Sequence, residues 1–173
     1  DQDGPLDGQA SLCGVLGMAD SFGLAFFKAE DAAQGRLPVE GTVLITVADK
    51  EKKAVVAVAR QFADLGFKIK ATSGTQAFLA KNGIEAEVAY KMFEQRPHIA
   101  DDVMNGKIQL VINTPRGRAG KTDDSYIRKA AIRARVPYIT TTTAALAAAH
   151  GILAAQADSD EVKSLQEYHA LLK

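Results

Sequence analysis

The chain has 173 residues, 47% of them hydrophobic and 24% charged, which is enough for one well-buried core. Lys+Arg and Asp+Glu each total 21, so no overall field draws it to nucleic acid, membrane or polyanions, and any anion site must be local. The single Cys13 excludes an internal disulfide and a thiolate metal site, and no stretch reaches the ~20 apolar residues of a membrane span.

Residues 1–17 are rich in glycine and small residues and show no period. Asp1, Asp3 and Asp7 lie where a signal peptide needs basic and apolar residues, so the expected compartment is the cytoplasm. The missing initiator methionine suggests an excised fragment or processed product. Residues 18–34 carry an apolar helical stripe, with Phe22, Phe26, Ala29 and Ala33, closed by Gly35. Pro38 and Gly41 break the chain, and from Thr42 strands and helices alternate.

The β-branched run Thr42 to Val47 predicts a buried parallel strand. A helix follows from about Lys50 to Leu65, with Asp49 as cap and Gly66 as stop. Phe67 to Ala71 is the second strand, leading through a Thr72-Ser73-Gly74-Thr75 turn to a short helix ending at Lys81. Ala86 to Ala89, Gln109 to Asn113 and Val136 to Ile139 are the remaining strands. Helices are predicted at Ile99 to Met104, Asp123 to Arg135, Thr140 to Leu153 and Glu161 to Leu172. Five strands alternating with helices predict an α/β fold: a three-layer αβα sandwich around a five-stranded parallel sheet, Rossmann-like or flavodoxin-like.

In such sheets ligands sit beyond the carboxyl ends of the strands. There the sequence delivers Thr46 with Lys50, Lys52 and Lys53, then Thr72, Ser73, Gly74 and Thr75, then Lys91, then Asn113 and Thr114 with Arg116 and Arg118, and finally Thr140 to Thr142. Free N–H groups at a helix start, small hydroxyls and cations suit an anion of nucleotide or sugar-phosphate size. Each residue alone also fits a plainer role: lysines as a solvated helix start, Thr72 and Thr75 as caps, the arginines as a basic loop. Their convergence is what carries the reading. A general base with a partner is missing, because His98 stands alone near this edge and Asp101, Asp102, Asp123 and Asp124 fit helix starts. No His, Cys or Asp spacing suggests a metal. The sequence supports binding better than catalysis.

The runs Lys70-Ala71-Thr72-Ser73-Gly74-Thr75, Glu94-Gln95-Arg96-Pro97-His98-Ile99, Val111-Ile112-Asn113-Thr114 and Asp123-Asp124-Ser125-Tyr126-Ile127-Arg128, with Lys91, resemble the C-terminal domain of carbamoyl-phosphate synthase large chains. That domain is methylglyoxal-synthase-like. The resemblance spans about Gly41 to Lys173, leaving 1–40 as a tail and linker helix from a preceding synthase domain. It implies an allosteric domain that binds nucleoside monophosphates such as UMP and IMP, within a ligase of pyrimidine and arginine biosynthesis. By motif, the effector site would use Thr46, Lys52, Thr72, Ser73, Gly74, Thr75, Lys91, Asn113 and Thr114, with Asp123 and Thr140 on an ornithine side. No catalytic residue and no metal is implied here, although a full synthase would use ATP and Mg. Implied partners are the rest of the large chain, the glutaminase small chain and a second copy. Pro115 stands where a further threonine is common, and Gly117-Arg118-Ala119 replaces a Gly-Arg-Arg. The alternative is a stand-alone methylglyoxal synthase acting on dihydroxyacetone phosphate, but Gln95-Arg96-Pro97-His98 stands where that enzyme places its aspartate base.

Overall fold

The computed structural model describes residues 9–12, 15–18, 22–32, 36–92, 94–114 and 121–157. Cys13, the Arg116-Gly117-Arg118 loop and the helix expected over Glu161 to Leu172 lie outside the described residues.

Two strands precede the first helix, β1 (Gln9–Leu12) and β2 (Val15–Met18), paired antiparallel with Gln9 opposite Met18. This differs from the aperiodic segment expected there. Four-residue runs flanking Cys13-Gly14 match a hairpin spacing, which the four glycines among the first 17 residues obscure. Helix α1 (Phe22–Ala32) follows, with Ala25 and Ala29 fully buried.

The main sheet holds β3 (Thr42–Thr46), β4 (Lys68–Thr72), β5 (Glu87–Ala89), β6 (Leu110–Asn113) and β7 (Tyr138–Ile139). All neighbours pair in parallel, in the order β5-β4-β3-β6-β7. Helices α2 (Lys52–Asp64), α3 (Ser73–Lys81), α4 (Ile99–Met104), α5 (Lys121–Ala134) and α6 (Thr142–Ala157) connect and cover it. Side chains alternate across a strand, so β3 sends Val43 and Ile45 into one core and Leu44 into the other. The first core joins Val55, Val58 and Phe62 of α2, Leu79 of α3 and Ala145, Ala148 and Ile152 of α6. The second joins Ile99 and Val103 of α4 to Ile127, Ala130 and Ala131 of α5. Both faces are covered, which makes a three-layer αβα sandwich.

Two glycines let α1 lie close against α6. A Cβ placed on Gly151 would stand 2.8 Å from the Gly23 carbonyl oxygen and 3.2 Å from the Phe27 Cβ. Gly151→Val forces that backbone apart, and overpacking of this kind costs about 1–3 kcal/mol. Urea unfolding should show that loss, whereas unchanged stability would mean that the helices are not held at this crossing.

Strand order reverses at β3. The chain moves from β3 to β4 and β5 on one side, then crosses to β6 and β7 on the other. The cleft between β3 and β6 is therefore the topological switch point, where open α/β sheets bind ligands.

Candidate functional site: the carboxyl edge of the sheet

Strand β4 passes into α3 without an intervening turn. Thr72 is extended at the N-cap position and Ser73 begins the helix, two residues earlier than the sequence reading placed it. Thr72 makes no side-chain cap bond; its hydroxyl donates instead to the Thr75 hydroxyl at 3.4 Å. Both threonines are buried, while Ser73 and Gly74 are exposed. The first helical N–H groups thus lie beside two dry hydroxyls.

A Cβ placed on Gly74 would lie 3.5 Å from the Lys52 ammonium, so the first residue of α2 reaches over the start of α3. Lys52 also meets Asp49 at 2.7 Å, but that carboxylate is 91% exposed. An exposed ion pair contributes about 0–1 kcal/mol, and a charge-assisted hydrogen bond to an anion about 1.5–3 kcal/mol. The Asp49 contact therefore holds Lys52 only weakly.

Thr46 ends β3 opposite Asn113 at the end of β6. The Thr114 N–H donates to the Thr46 carbonyl at 3.0 Å, and the Thr114 hydroxyl accepts from the Ala48 N–H at 3.0 Å. These bonds close the switch point over three buried polar residues. Asn113 donates from Nδ2 to the Tyr138 hydroxyl at 2.6 Å and to Asp124 Oδ1 at 3.2 Å. Its Oδ1 is buried with no hydrogen-bond partner among the described residues. Leaving a buried carbonyl unpaired costs about 1–3 kcal/mol. Burial pushes the Tyr138 hydroxyl above its ordinary 10.0; the Asn113 bond opposes that rise, the Asp124 charge adds to it, and Arg128 opposes it. Tyr138 therefore stays neutral at physiological pH.

Lys91 follows β5, two residues after Ala89, which pairs with Thr72. Its N–H donates to Glu94 Oε2 at 3.0 Å and its carbonyl accepts from the Glu94 N–H at 3.0 Å. The next helix is held to this loop by the Ile99 N–H donating to the Tyr90 carbonyl at 2.9 Å. His98 is a cap: its Nδ1 accepts from the Asp101 N–H at 3.3 Å, and Asp101 Oδ2 accepts from the His98 N–H at 3.2 Å. The carboxylate nearest His98 is thus engaged in capping the start of α4.

On the far side of the switch point, Thr140 is exposed and lines a cleft of ≈ 560 Å³ with Lys50, Glu51, Thr114 and Thr141 to Thr143. Thr141 caps α6, accepting from the Ala144 N–H at 3.1 Å. Lys50 belongs to this cleft, Lys52 to the α3 start, and Lys53 is exposed. Asp123 lies in α5, with its side chain outside the described residues. The structure thus sorts the predicted residues into neighbouring groups: Thr72, Thr75 and Lys52 about Gly74; Thr46, Asn113 and Thr114 at the switch point; Thr140 in the threonine cleft.

Sequence reasoning missed Tyr138 and the Lys70–Asp102 pair. Lys70 Nζ lies 2.6 Å from Asp102 Oδ2, Lys107 Nζ lies 3.6 Å from Oδ1, and the Asp102 side chain is 4% exposed. No spacing in the chain signals either contact. Among the described residues, no helix is long and apolar enough to cross a membrane.

Residues 54–140 match the family model described as MGS-like domain. The chain is 46% identical over 159 residues to the carbamoyl phosphate synthase large chain of Gemmatimonas aurantiaca, covering 92% of this chain and 14% of that one. It is 43% identical over 151 residues to the carbamoyl phosphate synthase large chain, C-terminal section, of Aquifex aeolicus, covering 87% of this chain and 28% of that one. The chain therefore spans a small part of the length of these relatives. The crystal structure of methylglyoxal synthase from Elizabethkingia anophelis superposes with a TM-score of 0.51 at 14% identity, covering 77% of this chain and 92% of that one. That likeness speaks to the fold alone.

Proposed function

This chain belongs to the MGS-like domain family and resembles the C-terminal region of carbamoyl phosphate synthase large chains, and on that premise we propose that it is a regulatory, effector-binding domain. It binds a nucleoside monophosphate, UMP or IMP, by its phosphate. Lys52 and Lys91 supply charge, Thr72, Ser73, Gly74 and Thr75 supply hydrogen bonds, and Thr46, Asn113 and Thr114 face the rest of the ligand. Ornithine binds on the side of Asp123 and Thr140. The domain works in the cytoplasm with the remainder of a large chain, a glutaminase small chain and a second copy of itself. It tunes carbamoyl phosphate synthesis for pyrimidine and arginine pathways and performs no chemistry of its own.

The observation that carries this reading is the start of α3: buried Thr72 and Thr75 beside uncapped N–H groups, with the Lys52 ammonium over Gly74. A helix start, hydroxyls and a cation at one point form a phosphate cradle. Regulation then requires that the effector bind two states of the whole synthase with different affinity.

Calorimetric titration of this chain with UMP and IMP tests the binding reading. A dihydroxyacetone phosphate assay on the same preparation tests the absence of chemistry. Saturable nucleotide binding without methylglyoxal formation is expected; turnover would make the cradle a substrate site.

A further inference from the structure

Asn113 stands out within the switch point because its amide is used on one side only. The Asn side chain has two N–H donors and a carbonyl acceptor. Here Nδ2 meets two acceptors, the Tyr138 hydroxyl at 2.6 Å and Asp124 Oδ1 at 3.2 Å, while Oδ1 has no partner among the described residues. Turning the amide over would set its oxygen against the Asp124 carboxylate, acceptor against acceptor. The carboxylate therefore fixes which end of the amide is left over.

Resting on the nucleotide reading above, we propose that Tyr138 and Asp124 are positioning residues that occupy both N–H bonds of Asn113, so that Asn113 offers the ligand only its carbonyl oxygen. It then selects a hydrogen-bond donor, a sugar hydroxyl or a ring N–H, and does not hold the phosphate. Three features support this. Asn113 is 1% exposed, so a donor that reaches Oδ1 bonds in a dry place, where discrimination against a ligand lacking the donor is strong. The neutral Tyr138 hydroxyl, which burial favours, accepts from Nδ2 as the arrangement requires. Finally, Asn113 stands opposite Thr46 across the switch point, whereas the phosphate cradle is built on β4 and α3.

The test titrates the chain and its variants with UMP and, separately, with inorganic phosphate in competition with UMP. Asn113→Ala should weaken UMP about tenfold and leave inorganic phosphate nearly unchanged. Tyr138→Phe frees one N–H, so the ratio of UMP to phosphate affinity should fall by a smaller factor while the melting temperature stays close to wild type. Equal weakening of both ligands in Asn113→Ala would place Asn113 on the phosphate and overturn the inference. If Asn113→Ala does not fold, an unchanged ratio in Tyr138→Phe overturns it. Wild-type chain that binds phosphate and UMP equally well contradicts donor selection while leaving the cradle standing. Wild-type chain that binds neither overturns the nucleotide reading itself, and this inference with it.

Discussion

Asp102→Ala is expected to lower the unfolding free energy by about 3 kcal/mol, the lower end of what removing one partner of a buried ion pair costs. Asp102 is 4% exposed in its side chain and Lys70 is 17% exposed, and their charged atoms meet at 2.6 Å. Taking away the carboxylate leaves the Lys70 ammonium between β4 and α4 with only Glu87 among the described residues, 3.9 Å away and 69% exposed, as a distant counter-charge. Lys107 loses little because it is 58% exposed. Replacing both partners by apolar residues, Lys70→Met with Asp102→Leu, should recover most of the loss, because the cost lies in the stranded charge. Denaturant melts of the single and double variants give the coupling directly. Losses that simply add would show that the two side chains do not act as a pair. The consequence reaches the site, since α4 is tied to the Tyr90 carbonyl and so helps to hold the loop bearing Lys91.

Thr75→Ala and Lys91→Ala should each weaken nucleotide binding about tenfold or more, one charged hydrogen bond being worth about 1.5–3 kcal/mol. The two effects have different signatures. Lys91 is proposed to act through charge, so its loss should matter less as salt rises and the Debye length falls below about 10 Å. Thr75 is fully buried beside the Thr72 hydroxyl and is proposed to act through its own hydroxyl, so the effect of its loss should hardly change with salt. Titrations at low and high salt separate them. Equal affinity in both variants and wild type would remove the cradle from the effector site.

The centre of the sheet was legible in the sequence because β3 and β6 are buried along almost their whole length. Runs such as Thr42 to Val47 and Leu110 to Ile112 are apolar without alternation, and only a covered parallel sheet needs that. The carboxyl-edge residues were legible for a related reason: chain direction in a parallel sheet brings every strand end to one side. What stayed hidden depends on contacts between distant positions. Tyr138 meets Asn113 across 25 residues and Lys70 meets Asp102 across 32, and neither pairing leaves a local pattern. The split of Lys50 from Lys52 between two clefts turns on the 3-10 turn at Asp49–Glu51, which a pure helix reading from Lys50 does not contain. The β1–β2 hairpin was masked by glycine-rich composition. His98 read as a lone histidine, and its capping bond with Asp101 gives both residues a structural role.

The central claim is that the start of α3 holds a regulator's phosphate. Calorimetric titration of the 173-residue chain with UMP and IMP measures it most directly. The account predicts saturable, one-site binding that Thr75→Ala weakens about tenfold or more. No heat change with either nucleotide, or binding that Thr75→Ala leaves untouched, would contradict it.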